Sequence, residues 1–163
     1  MVSKELYYSQ EPYPHAIMDG FAPSHMIDGA YQELIEVWPE YMYAVDMNNT
    51  DAQNLKEFYP YRNDGDDADI YITRINDMKA VCPYVGHLFT ELTSDDFIQK
   101  LEGMTGIKGL FADPYYAGGG IHKVKSGGHL NVHTDYMLHP VEPWYRRINL
   151  LLYLTPNWQY EWG

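Results

Sequence analysis

Basic residues are scarce in this chain: 11 lysines and arginines stand against 23 aspartates and glutamates, a formal charge of −12. A nucleic-acid backbone or an anionic membrane calls for the opposite excess, so neither is expected as the main partner. Cysteine is scarcer still. The single Cys82 excludes an intrachain disulfide framework and fits a reducing, cytoplasmic setting. Long apolar runs are lacking; the longest, "LLLYL", is far too short to span a bilayer. The opening "MVSKELYYSQEP" has none of the apolar character of a secretory signal.

What is present suits one globular domain over residues 1–163. That length is sufficient for a hydrophobic core, and a hydrophobic fraction of 45% with mean hydropathy −0.44 is that of a soluble protein. The 16 tyrosines favour strands and packed aromatic surfaces over a simple helical bundle. A short strand is expected at residues 15–18. Ser24 reads as an N-cap, followed by Met26, Ile27, Ala30, Leu34, Ile35 and Trp38 at helical spacing up to Pro39. Residues 43–69 read as irregular; the aspartates of "RNDGDDAD" miss the calcium-loop spacing and are taken as a solvated loop. A helix from Pro83 carries Val85, Leu88, Phe89 and Leu92 inward. Ser94 with Asp95 and Asp96 starts another, with Phe97, Ile98 and Leu101 as its buried stripe and Gly103 or Gly106 as its end. Beyond Leu110, strand-like segments alternate with glycine turns. The order of elements therefore predicts an α+β fold, helical over about 20–106 and stranded over about 108–163.

Three of the seven histidines fall in "HLNVHTDYMLHP", at 129, 133 and 139. His133 and Asp135 are two apart, so on an extended chain both point to one side and can converge on one ion. One imidazole and one carboxylate make two-thirds of the facial triad that holds non-haem Fe(II). His-x-Asp is also a common pattern for a hydrogen-bonded surface histidine. In the following "YRRINLLLYL", Arg146, Ile148, Leu150, Leu152 and Leu154 share one face. Tyr145, Arg147, Asn149, Leu151 and Tyr153 share the other. The first face is expected under the helices. The second would line a cavity if the sheet curls into a barrel. Lys123, Lys125, Arg146 and Arg147 gather here in an otherwise acidic chain, a local field suited to a small dianionic cosubstrate.

The segments "DPYYAGGGIHKVKSGGHLNVHTDYMLHP", "RRINLLLYLTPNW" and "EWG", with "MDGFAP" and "LTSDDFIQKLEGMTGIKGLFADP" upstream, resemble the Fe(II)/2-oxoglutarate-dependent oxygenases, in the branch related to prolyl hydroxylases. The resemblance covers most of the chain. It implies N-terminal helices packed on a double-stranded β-helix (jelly-roll) core, with His133 and Asp135 as Fe(II) ligands. Tyr153 would hold the tail carboxylate of 2-oxoglutarate and Asn149 would line the same pocket. Many prolyl hydroxylases carry a tyrosine nine residues before the metal histidine; that position is Val124 here, and His122, on the same face, is the candidate substitute. The implied reaction hydroxylates an unactivated C–H bond of a prolyl or other amino-acid residue, or of a small molecule.

The family's third ligand is a histidine further downstream, followed by a basic residue that binds 2-oxoglutarate. No histidine follows His139. The resemblance therefore implies a jelly roll incomplete at its C-terminal end. The alternatives are an inactive jelly-roll binding module or an enzyme fragment completed by another chain. His139, in a loop headed by Pro140, reads as a turn or channel residue, and His129 as a wall histidine. A cupin-type protein is disfavoured because its histidine-rich first motif is absent. The β-prone edge "INLLLYL" predicts a homodimer in which two copies cover each other.

Overall fold

The computed structural model describes residues 3–37, 56–59, 68–117, 119–128 and 133–162. Five helices dominate it: α1 (Lys4–Tyr8), α2 (Ser24–Glu36), α3 (Ala68–Val81), α4 (Pro83–Leu92) and α5 (Asp95–Thr105). Two short strands, β1 (Lys56–Tyr59) and β2 (Ile121–Val124), pair antiparallel, with Lys56 opposite Val124 and Phe58 opposite His122. A 3₁₀ turn, Tyr160–Trp162, follows near the end of the chain. No helix among the described residues is long and apolar enough to cross a membrane.

Helix α4 is the hub, packing on α2, α3 and α5, while α1 lies on α5. Val85 and Leu88 of α4 meet Ala30 of α2 and Ile75 and Met78 of α3, with Cys82 between α3 and α4, in one buried cluster. Burying a side chain of this size contributes about 1.5–3 kcal/mol. Phe97, Leu101 and Met104 of α5 form a second cluster. Phe21 packs against both, its ring edge-on to Phe97 at 5.2 Å. Gly29 lets α2 approach α4, because a Cβ there would lie 2.7 Å from the Tyr84 ring.

The helix ends follow local chemistry. Pro83 opens α4 as expected, yet Cys82 in the N-cap position supplies no side-chain bond. Glu33 of α2 does so instead: its two carboxylate oxygens accept the Tyr84 and Val85 N–H groups, each at 3.0 Å. An anion at a helix N-terminus also meets the positive end of the helix dipole. Ser94 caps α5 by accepting from Phe97 N–H at 3.2 Å. Gly106, in the left-handed region at φ 71°, ends it, and Gly103 lies inside the helix. The Leu110 N–H donates to Glu102, and this bond is the main cause holding that carboxyl below its ordinary range.

Several expectations are corrected. Residues 15–18 form no strand. Pro23, not Ser24, occupies the N-cap of α2, and no side-chain bond caps it. Trp38 and Pro39 lie outside the described residues. Helix α3 is not anticipated by the sequence pattern. Its β-branched residues are moderate helix formers, and the exposed Ile70 and Val81 blur the apolar stripe that Ile75 and Met78 define. Asp69 of "RNDGDDAD" belongs to the first turn of α3, and residues 62–67 of that segment lie outside the described residues.

The larger correction concerns the fold class. The described regular structure is mostly helical, and among the described residues the expected α+β fold built on a jelly-roll core is not found. Among the described residues, 133–159 contain only one isolated antiparallel bridge, Leu138 with Tyr145. The physical reason is that alternation is local whereas a ladder is not. Leu152 and Leu154 pack on the first helical cluster and Ile148 on the second, while Leu151 and Tyr153 face outward. Leu150, expected on the inner face, is exposed. At Ile148, Leu152 and Leu154 the two-residue period is met by burial against helices rather than by a second sheet.

Two consequences are measurable. Glu33→Ala removes both acceptors from the first turn of α4 and should lower the unfolding free energy by about 1–2 kcal/mol in urea denaturation. Burial, reinforced by the Glu33 charge, pushes the Cys82 thiol up to about 11. In the unfolded chain the thiol ionises near roughly 8.5. Its preference for the fold is therefore complete below that pH and is lost as pH rises toward 11. Iodoacetamide at pH 8.5 should label Cys82 far more slowly in the native than in the urea-unfolded protein; equal rates would show that the thiol is not sequestered.

Candidate metal site

Residues 137–146 fold back on themselves. Arg146 N–H donates to Met137 C=O and His139 N–H to Trp144 C=O, both at 2.8 Å. This reversal sets the end of the 133–136 segment beside Arg146 and Asn149. His133 Nε2 lies 3.5 Å from Asp135 Oδ1, and the side chains are 49% and 40% exposed. The other carboxylate oxygen, Oδ2, accepts from Asn149 Nδ2 at 3.1 Å and lies 3.3 Å from Arg146 Nη2. Arg146 also donates to Asn149 Oδ1 at 2.8 Å and stands over the Tyr136 ring at 5.2 Å. The Tyr136 hydroxyl in turn donates to Ala117 C=O.

The division of labour within Asp135 is clear. Oδ2 is held by two donors, while Oδ1 is turned toward the imidazole. Donor atoms 3.5 Å apart can share one ion at bond lengths of about 2.0–2.2 Å. An imidazole and a carboxylate are a donor set suited to a divalent first-row metal, and the bonds to Oδ2 orient the Asp135 carboxylate. No group of three or more His, Cys, Asp or Glu side chains able to hold a metal occurs among the described residues. A shallow cavity of about 180 Å³ adjoins Asp135, lined also by Tyr136, Met137, Arg146, Arg147, Ile148 and Asn149 and not by His133.

Comparison with known protein families, with characterised proteins and with solved structures gave no match. The resemblance to the oxygenases therefore rests on the sequence motifs alone.

The expected site residues are only partly brought together. His133, Asp135 and Asn149 come together, but Asn149 binds the Asp135 carboxylate instead of only lining a pocket. Tyr153 is 75% exposed and packs by Trp158 at 6.5 Å, outside the groove lining. His122 sits on β2, also outside that lining. His129 lies outside the described residues. His139 is buried away from the groove, 3.4 Å from Asp113. Sequence parity puts Arg146 and Asn149 on opposite faces, so it misses their contact. Parity fixes only the Cβ direction, and the long guanidinium stem reaches round to the other face.

Asp135 is accessible, so the cluster around it should add little to global stability. Arg146→Ala should lower the unfolding free energy by no more than about 1 kcal/mol. Urea denaturation checks this; a much larger loss would place Arg146 in the core.

Proposed function

We propose that the protein is an Fe(II)- and 2-oxoglutarate-dependent dioxygenase that hydroxylates an unactivated C–H bond, with His133 and Asp135 as metal ligands. The observation that carries this reading is the paired donor geometry: Nε2 and Oδ1 face each other at 3.5 Å while Asn149 and Arg146 hold Oδ2. The bound metal would supply the redox chemistry that couples decarboxylation of 2-oxoglutarate to hydroxylation. The chain's own residues hold the ligands in place and provide positive charge beside them. Arg147 lines the groove next to Arg146, so an anionic cosubstrate would meet a favourable field in an acidic protein. Fold plays no part in this reading.

One observation favours a second reading, a binding module without turnover: only two metal donors converge among the described residues. An enzyme fragment whose site another chain completes fits the same observation. The homodimer expectation belongs with either reading. The outward face carrying Tyr145, Leu151 and Tyr153 is the surface a second copy would cover.

Mn(II) is the redox-silent probe. Water-proton relaxation should detect one Mn(II) per chain, weakened by about tenfold or more in His133→Ala and in Asp135→Ala. Because 2-oxoglutarate would chelate the same ion, it should tighten Mn(II) binding, and Mn(II) should tighten 2-oxoglutarate binding by the same factor. Coupling with 2-oxoglutarate together with Fe(II)-dependent succinate formation supports the dioxygenase. Metal binding with neither supports the binding module. Mn(II) binding indifferent to both variants would sink both.

A further inference from the structure

The imidazole of His139 is 7% exposed, and its two nitrogens do different things. Nδ1 accepts two backbone N–H groups, from Val141 at 3.2 Å and Glu142 at 2.9 Å. A nitrogen that accepts cannot carry the proton, so the ring is the Nε2–H tautomer. That Nε2 is buried without a hydrogen-bond partner, and the Asp113 carboxylate stands 3.4 Å away. Asp113 is itself committed, accepting from Tyr115 N–H at 2.8 Å and Ala117 N–H at 2.7 Å. The rings of Trp144 and Tyr115 flank the imidazole at 5.4 and 5.9 Å.

We infer that His139 is a positioning residue for the His133–Asp135 site. It locks the reversal at residues 137–146 from inside, through Nδ1 and through its own N–H to Trp144 C=O. The lock determines where Arg146 and Asn149 stand relative to Asp135. Asp113 ties the same reversal to residues 115–117, and Ala117 receives the Tyr136 hydroxyl, over whose ring Arg146 lies. Two routes thus run from His139 to the Asp135 carboxylate, one through the backbone of the reversal and one through Asp113, Ala117 and Tyr136. With Nδ1 held by two backbone amides and Nε2 buried beside Asp113, the ring acts through other residues and not as a ligand. In its bearing on metal affinity the inference rests on the reading of His133 and Asp135 as ligands; in its bearing on geometry it does not.

The test uses the full 163-residue chain and two substitutions that each keep half of the imidazole's chemistry. His139→Asn places an oxygen near the Nδ1 position and keeps the acceptor. His139→Gln reaches the Nε2 position and loses it. The metal-free readout is the Asn149 side-chain amide signal in the ¹⁵N-labelled protein, with Asp135→Ala marking the signal of an Asn149 that has lost its acceptor. His139→Gln should move the Asn149 signal most of the way to that mark, and His139→Asn should leave it near wild type. Mn(II) affinity should fall by about tenfold or more in His139→Gln and stay within about threefold of wild type in His139→Asn. A folded His139→Gln protein with an unmoved Asn149 signal overturns the inference. So does a folded His139→Asn protein with the Asp135→Ala signal. Loss of folding in both variants also overturns it, making His139 a core residue. If wild type binds no Mn(II), the metal reading fails while the Asn149 signal still decides the role of His139.

Discussion

The carboxylate of Glu33 against the first turn of α4 is the contact on which the architecture turns. Helix α4 touches α2, α3 and α5, so its orientation decides where both apolar clusters lie. Its N-terminus has proline at the first position and a cysteine where a polar cap would normally stand. The orphan N–H groups there need an acceptor from elsewhere. Glu33, near the end of α2, accepts two of them at once. A side chain 51 residues away in sequence thus closes a helix end and fixes the angle between two helices. The same carboxylate adds to the burial that keeps the adjacent Cys82 a neutral thiol.

The candidate site is built on the outside of this helical body. Ile148, Leu152 and Leu154 anchor the last extended segment to the two clusters, and that anchoring directs the intervening residues to the surface. The reversal at 137–146 then returns the chain so that Asp135 meets Arg146 and Asn149. The result is an accessible carboxylate with one oxygen restrained and one presented to an imidazole. Restraint of this kind is what the proposed ligation would draw on, since a carboxylate already oriented needs less ordering to bind an ion.

Much of the helical part was legible in the residues. Pro83 at a first helical position, Ser94 before two aspartates, and Gly106 as a left-handed terminator are local signals, and each acts over a single turn. The alternation in residues 146–154 was legible in part: Ile148, Leu152 and Leu154 meet the clusters while Leu151 and Tyr153 face outward, but Leu150, expected on the inner face, is exposed. The jelly roll was not a sound extension of that pattern. A ladder needs a neighbouring strand in register, and a period of two is satisfied equally well by one face resting on helices. Helix α3 went unread because its stripe is weak until α4 covers it. The pairing of His133 with Asp135 followed from their spacing; the contacts of Asp135 with Arg146 and Asn149 did not.

By itself, then, the amino-acid order determined the short-range matters: helix starts and stops, the two-faced character of the last segment, the closeness of one imidazole to one carboxylate, and the acidic balance. Only the tertiary structure decided the long-range ones. It chose helices as the surface under Ile148, Leu152 and Leu154, and it brought Glu33 to α4. It buried His139 with its acceptor nitrogen on two backbone amides, and it placed Arg146 on Asp135. Local preferences depend on a few dihedral angles and neighbours within one turn. Contacts between distant residues depend on which surfaces the whole chain leaves to be covered, and no short stretch of sequence carries that information.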